Sequence, residues 1–252
     1  MSSQTRPSRV ATLASRLGMA ALALSAGSII GIQVDLLLPA TGFYLFGLGA
    51  VLGGLLSLVL GLVGFGTSRG GDAIGRRRAW VGTGLGLILV AVVVAAGAPG
   101  RGLPSINDIT TDLSDPPAFT AALEDPDNQG VDMSYPPEFA ELVRAAYPDL
   151  QPIVLPGAHA RVFQRAIAAA EAQGWEIVWT DPSGEAFEAR QTSAVFRFVD
   201  DIRVRVRDAG KGAVIDVRSK SRVGRGDLGA NAARIRAFAA ALQQETAPVA
   251  SQ

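Results

Sequence analysis

A run of basic, hydroxyl and glycine residues near the C-terminal end is the part of this sequence whose side chains best suit ligand binding. It reads Arg-Ser-Lys-Ser-Arg-Val-Gly-Arg-Gly-Asp over residues 218–227 and precedes a predicted helix. Such a loop can offer backbone N–H groups to an anion at the helix N-terminus, and arginines add charge-assisted hydrogen bonds. The candidate anion-binding residues are Arg218, Ser219, Ser221, Arg222, Asn231 and Arg234. A lipid headgroup, a carboxylate or an acidic segment of a partner would fit.

The same arginines have an alternative, structural reading. Arg218 and Arg222 could form internal ion pairs with Asp200, Asp201 or Asp227, which would leave no charge free for a ligand. Asp200 and Asp201 are neighbours on a predicted strand, where adjacent side chains point to opposite faces. They are therefore not expected to share one metal site.

Other polar residues give weaker candidates. Asp108 and Asp112, in the polar run over residues 107–112, could bind a hard cation, but such residues more often satisfy backbone groups in turns. The absence of cysteine and the single histidine, His159, exclude thiolate zinc sites and multi-histidine metal sites. His159 opens a predicted helix and is expected to be structural or exposed. No nucleophile elbow, phosphate loop or dinucleotide fingerprint is present, so no catalytic residue, metal or cofactor is predicted.

Charge divides the chain into two unlike halves. Residues 1–100 hold seven arginines, no lysine and two acids, a net charge of +5. Residues 101–252 hold 16 basic and 21 acidic residues, a net charge of −5. The acidic half lacks the basic footprint of nucleic-acid-binding proteins, so no nucleic-acid partner is predicted.

The basic half contains three uncharged apolar stretches, at about residues 17–34, 43–65 and 80–98. A helix of about 20 apolar residues crosses a bilayer, so residues 1–100 are predicted to form a membrane region with three transmembrane helices. A cleavable signal peptide is the alternative for the first stretch. We prefer an uncleaved helix because the apolar run continues past the small residues at 21–26.

The arginines in the short loops predict the orientation. Arg6, Arg9 and Arg16 precede the first span, Arg69 and residues 76–78 precede the third, and the loop between the first two spans has no basic residue. By the positive-inside rule the N-terminus is cytoplasmic. The prediction is a multi-pass protein of the inner (cytoplasmic) membrane with a periplasmic or extracellular C-terminal domain.

Each span contains a pair of glycines four residues apart, which lets helix backbones approach closely. The pairs are Gly27 and Gly31, Gly49 and Gly53, and Gly82 and Gly86. They could support homo-oligomerisation or the packing of the three helices on one another. Membrane lipids and an unidentified protein are the other predicted partners.

Nine of the fourteen prolines lie in residues 104–156. Proline interrupts helices and central strands, so residues 101–158 are predicted to form an extended segment, the strap. Its aromatic residues indicate that it packs on the domain surface, with a short helix near residues 137–147. The core of the domain is assigned to residues 159–245, and residues 246–252 to a disordered tail.

The core is predicted to be a two-layer α+β domain with the order helix, four antiparallel strands, helix. The strands are placed at residues 175–180, 185–192, 194–207 and 213–221, and the closing helix at Leu228–Leu242 with Asp227 as its N-cap. Its buried stripe would be Leu228, Ala232, Ile235, Ala239 and Leu242.

The two long strands alternate in polarity. Ile202, Val204 and Val206 are expected to face inward and Arg203, Arg205 and Arg207 outward. A register with Arg205 opposite Asp216 would pair the arginine row with acids on a solvated sheet face.

Several segments resemble the DUF1499 family, an uncharacterised bacterial and plastid family. They are SINDITTD (105–112), DPPAF (115–119), AYPDL (146–150), GWEIV (174–178), DDIRVRV (200–206) and IDVRSKSRVGRGDLGANAARIRAF (215–238). The resemblance covers about residues 105–242 and implies a membrane-anchored member, but no activity. Phe196-Arg-Phe departs from the Phe-Gly-Phe expected there.

The sequence therefore predicts a membrane-tethered extracytoplasmic domain that binds or interacts rather than catalyses, with an anion or lipid-headgroup site between residues 218 and 234. An envelope hydrolase is one alternative. A carrier of lipids or small hydrophobic molecules is another, because a helix on a curved sheet can enclose a cavity.

Overall fold

A computed structural model describes residues 7–68 and 72–244 of the chain. It separates into two compact units, Met1–Pro99 with Ala194–Arg197, and Gly100–Ser193 with Phe198–Gln252. The predicted tail at 246–252 and the arginines at positions 6 and 69 lie outside the described residues.

The first unit contains three long apolar helices, as predicted. They are α1 (Arg9–Gln33), a second helix made of α2 (Pro39–Gly47), a π-helical segment (Leu48–Gly53) and α3 (Gly54–Thr67), and α4 (Ala73–Gly97). With the short turn that follows α4, they run for 25, 29 and 28 residues, which is long and apolar enough to cross a membrane. Each is longer than the uncharged stretch that predicted it.

The glycine pairs of the second and third helices lie where these helices contact each other and α1. A Cβ added to Gly49 or Gly53 would clash with atoms of α1, and one added to Gly82 or Gly86 would meet backbone atoms of α1 or α3. Gly27, in contrast, faces open space. Two of the three pairs therefore serve packing within the chain, and homo-oligomerisation stays a prediction.

The second unit is an α+β domain with a six-stranded antiparallel sheet, so the predicted number of four strands is wrong. The strands are β1 (Asp108–Thr110), β2 (Ile153–Pro156), β3 (Glu176–Thr180), β4 (Ala186–Thr192), β5 (Val199–Asp208) and β6 (Gly212–Ser221). Their order is β1-β6-β5-β4-β3, and β2 also pairs with β6. The two missed strands are short, belong to the strap, and share the outer edge of the long β6.

Two elements begin later than predicted. The third predicted strand was placed from residue 194, but β5 starts at Val199 after a turn in which Arg197 has φ 53°. The closing helix, α8, is Ala230–Gln244 rather than Leu228–Leu242. Leu228 has φ 54° and is 57% exposed, so it is not part of the buried stripe, whereas Phe238 is fully buried.

The sheet has two chemically different faces. On the helix face, Ile202, Val204 and Val206 of β5 are fully buried under α7 (His159–Ala172) and α8, as predicted. On the other face, here called the strap face, lie the arginines of β5, and Arg205 stands opposite Asp216 in the predicted register. The strap covers most of this face with α5 (Ala121–Glu124) and the residues before it, although Arg207 is 47% exposed. The other strap helix, α6 (Phe139–Ala146), packs through Val143 against the hydrophobic core.

Candidate functional site

The six predicted anion-binding residues lie on two opposite faces of the sheet. Because side chains alternate along β6, Arg218 and Arg222 point to the strap face, whereas Ser219 and Ser221 point to the helix face. Asn231 and Arg234, on α8, join the two serines. The structure therefore does not bring the six residues together around one position.

The helix-face members form a buried network that fixes α8 to the end of β6. Asn231 has no exposed surface; its side chain accepts from the Ser219 hydroxyl at 2.6 Å and donates to the Ser221 hydroxyl at 2.9 Å. Arg234 donates to Ser219 and pairs with Asp200. The carboxylate of Asp227 accepts from the backbone N–H of Asn231 at 2.8 Å, close to its predicted capping role.

On the strap face, both arginines are paired with acids. Arg222 binds Asp201 and Asp125, both at 2.7 Å. Arg218, only 2% exposed, binds both carboxylate oxygens of Asp108, at 2.9 and 2.7 Å. The pairing of Arg222 with Asp201 is the structural alternative stated above, whereas the Asp108 partner was not foreseen. An anion site made from all six residues stays a prediction that no contact in the structure supports.

A groove opens on the strap beside Arg218. Its volume is about 800 Å³, within the range of small-molecule sites in proteins. Its walls are mostly apolar and include Leu113, Phe119, Leu123, Val131 and Met133. Its polar lining residues are Ser114, Asp132, Ser134, Tyr135 and Arg218.

Arg218 forms a rigid floor for this groove. Its guanidinium lies 4.7 Å from the ring centre of Phe119 and 5.4 Å from that of Tyr135, distances at which a cation is attracted to an aromatic face. It also donates to the backbone oxygens of Pro117 and Met133, at 3.2 and 2.9 Å. These bonds from one strand residue to two points of the strap fix the shape of the groove.

The hydroxyl of Tyr135 is a polar group in the groove with no partner of its own. It is buried and has no hydrogen-bond partner among the residues that the structure describes. Burial, and then the nearby Asp108 carboxylate, raise the pKa of Tyr135, so the phenol keeps its proton at neutral pH. A buried donor without an acceptor costs about 1–3 kcal/mol, which a bound ligand with an acceptor oxygen would offset.

Lys220 adds a second positive charge beside Arg218. Its Nζ lies 3.2 Å from Asp108 Oδ2, and its side chain is 9% exposed. Asp108 therefore faces two cations. At the rim of the groove, hydrogen bonds from Ser134 are the main cause of a lowered pKa of the exposed Asp132. The charges of Lys220 and Arg218 lower that pKa further.

Further charged contacts hold the strap on the sheet. The buried Glu188 accepts from the backbone N–H groups of Thr120 and Ala122 and pairs with Arg203 at 2.6 Å. Arg205 reaches two strap carboxylates as well as Asp216. These contacts replace the water that a charged sheet face would otherwise require.

Two strap carboxylates in these clusters have altered acidity. Burial alone would raise the pKa of Asp112, but hydrogen bonds from Ser114 and Asp115 outweigh it and lower that pKa. In the same way, hydrogen bonds from Asp127 and Arg222 outweigh burial and lower the pKa of Asp125.

His159 lies apart from the groove, at the start of α7. Its Nε2 is 3.1 Å from the backbone oxygen of Val206. A smaller cavity of about 430 Å³ beside it is lined by Asp181 and Ser183, which bond to each other. Within residues 7–68 and 72–244, no group of three or more His, Cys, Asp or Glu could hold a metal ion. Asp108 and Asp112, the candidate cation ligands, are bound to arginines instead.

One protein family matches the C-terminal domain of this chain. A model of the family described as "Protein of unknown function (DUF1499)" matches residues 108–242. The chain belongs to the DUF1499 family. Comparison with curated proteins finds no significant match. The family region begins at Asp108 and includes Arg218, so it contains both partners of the ion pair at the floor of the groove. The three apolar helices lie outside the family region.

The sequence did not single out the groove residues Phe119, Met133 and Tyr135. Phe119 and Tyr135 are among the aromatic residues that predict the packing of the strap on the domain, which is part of their role. Their second role depends on Arg218 being buried between them. The one sequence signal for this second role is the polar run at 107–112, just before these residues. It contains Asp108, the buried partner of Arg218.

Proposed function

We propose that this DUF1499 protein is a membrane-anchored binding protein whose C-terminal domain takes up a small, largely apolar molecule in the strap groove. The observation that carries the proposal is the groove itself, about 800 Å³, with apolar walls and a fixed polar floor at Arg218. Apolar walls with a few positioned polar groups are typical of small-molecule sites.

The apolar helices support a membrane anchor. Large apolar side chains on their surfaces are exposed, among them Ile30, Tyr44, Leu62 and Trp80. A bilayer would cover these side chains, and aromatic residues near the helix ends suit the membrane interface. With the arginine distribution, this favours an N-terminus in the cytoplasm and a binding domain on the non-cytoplasmic side of the inner membrane.

The groove favours binding over the alternative of an envelope hydrolase. Apart from the Tyr135 hydroxyl, which keeps its proton, its charged and hydroxyl groups are engaged in fixed contacts, such as the Ser114 hydroxyl with Asp112 at 2.6 Å. The carrier alternative needs a different location from the one expected, because core side chains fill the layer between the sheet and α8. Uptake of an apolar molecule would instead use the strap groove on the opposite face.

Photolabelling of the full chain in lipid nanodiscs tests this function. The probe is decanol carrying a diazirine at the end of its chain. Trypsin releases residues 102–144, which hold most of the groove lining, as one peptide without internal Lys or Arg. We expect saturable labelling of this peptide that excess unlabelled decanol suppresses.

Two variants that replace an alanine with tryptophan provide the control. Ala118 lines the groove and is exposed, so Ala118→Trp should fill the groove without disturbing the core and should abolish labelling of the peptide. Ala237→Trp places the same side chain on the exposed surface of α8 and should leave labelling unchanged. Equal labelling in both variants, or none in the unmodified chain, would contradict the proposed function.

A further inference from the structure

The groove contains unused hydrogen-bond donors, and from them we infer that its ligand is an amphiphile with an anionic head, a carboxylate or a phosphate on an apolar chain. This inference rests on the proposed function, because it names the ligand class of the same groove. It adds that Arg218 and the Tyr135 hydroxyl bind the head, that the positive charge of Lys220 beside Arg218 attracts it, and that the strap side chains bind the apolar chain.

The hydrogen-bond balance of the floor favours an acceptor. Arg218 uses four of its five N–H groups on Asp108, Pro117 and Met133. The fifth, on Nη1, has no acceptor among the described residues. The Tyr135 hydroxyl is likewise a buried donor that the described part of the chain leaves without a partner. An oxyanion supplies several acceptor lone pairs to such donors.

The charge balance of the floor favours an anion. Arg218 and Lys220 carry two positive charges, and both are bound to the single carboxylate of Asp108. The three side chains are at least nine-tenths buried, so water screens the remaining positive charge poorly. An anionic head would neutralise it.

The rim carboxylate of Asp132 does not reverse this balance. Asp132 is exposed, where water and salt screen its charge, and its Oδ1 accepts from the backbone N–H of Ser134 at 2.9 Å. A neutral ligand could accept from the Tyr135 hydroxyl but would leave the excess positive charge without a counterion. A cationic ligand would meet two buried cations.

The test compares three photoprobes of the same chain length that differ only in the head: an alcohol, a carboxylate and a phosphate monoester. The full chain in zwitterionic nanodiscs is labelled, and labelling of the 102–144 peptide is measured as a function of probe concentration. We expect half-maximal labelling by the carboxylate or the phosphate at a concentration at least about 10-fold lower than for the alcohol, since hydrogen bonds to charged groups contribute this much. The better of the two anionic probes identifies the head.

Matched variants assign the preference to the floor. Tyr135→Phe removes an oxygen that has no partner within residues 7–68 and 72–244, so folding should not suffer, and we expect the preference for the anion to fall about 3-fold or more. Lys220→Met should reduce it to near unity. Lys211→Met, which alters the only other lysine, at an exposed position, should leave it unchanged.

The outcomes separate this inference from the proposed function. If no probe labels the peptide, both are wrong. If the alcohol labels it as well as the anions do, the groove binds apolar molecules and only the anionic-head inference is wrong. A preference for anions that survives both Tyr135→Phe and Lys220→Met would also overturn the inference, because the head would then be bound elsewhere.

Discussion

Replacing Asp108 with asparagine should destabilise the C-terminal domain more than most single substitutions. Asp108 has no exposed surface and is the only carboxylate within salt-bridge distance of Arg218 and Lys220 among the described residues. The asparagine side chain would keep the shape but remove the charge, which would leave two buried cations without a counterion. Breaking a buried pair in this way costs about 3–5 kcal/mol.

A surface pair of the same chemistry sets the comparison. Asp149 and Arg236 also form a two-bond ion pair, but they are about half exposed, at 53% and 44%. Exposed pairs contribute about 0–1 kcal/mol, so Asp149→Asn should change stability by less than about 1 kcal/mol. The difference between the two variants measures burial, because the chemical change is identical.

The assay is urea unfolding of the full chain in nanodiscs, followed by tryptophan fluorescence. Trp80 lies in α4, so Trp80→Phe leaves Trp175 and Trp179, both in the C-terminal domain, as the reporters. With a urea slope of about 1–3 kcal/mol/M, a loss of about 3–5 kcal/mol should lower the midpoint of Asp108→Asn by roughly 1–5 M.

A double variant checks the cause. Adding Arg218→Met to Asp108→Asn removes one uncompensated charge and keeps an apolar side chain between Phe119 and Tyr135, so at least about 1 kcal/mol should return. A loss below about 1 kcal/mol for Asp108→Asn, or no recovery in the double variant, would refute the view that a buried charge pair closes the strap on the sheet.

Two further predictions concern acidity and orientation. Asp112 and Asp125 have pKa values below those of the unfolded chain, so the stability they contribute is present above about pH 4 and is lost as pH falls through their folded pKa values. The urea midpoint should therefore be flat from about pH 7 to 5 and fall below about pH 4. A midpoint that rises on acidification would contradict this. Because the chain has no cysteine, Arg77→Cys and Lys211→Cys each give one labelling site. In intact cells an impermeant maleimide should label position 211 and not position 77. The reverse pattern would exclude the proposed orientation.

Much of the fold was predictable from local patterns. Uncharged runs predicted three helices, and strict alternation in β5 predicted which residues are buried and the pairing of Arg205 with Asp216. These features depend on nearest neighbours in sequence or on one hairpin. The glycine that the family resemblance implies at position 197, where this chain has Arg197, also has a local reason. The φ of 53° there is a conformation that glycine adopts without the steric cost of a Cβ.

The candidate site was not predictable in the same way, because its contacts join distant parts of the chain. Arg218 and Asp108 are 110 positions apart, and nothing in a three-residue strand such as β1 shows which edge it pairs with. The row of basic residues at 218–222 suggested a free anion site because two of the acids that pair with it, Asp108 and Asp125, belong to the strap. Alternation along β6 was visible in the sequence and would have separated Arg218 from Ser219.

Groove and strap closure are one feature rather than two, since the groove has no walls unless the strap lies on the sheet. The floor is Arg218 of β6, whereas the apolar walls are strap residues held by Arg218 through Asp108, Pro117 and Met133. A ligand that binds only this closed form must stabilise it by mass action. Asp108→Asn should therefore weaken ligand binding even though Asp108 does not line the groove, and ligand should raise the urea midpoint of the unmodified chain more than that of Ala118→Trp.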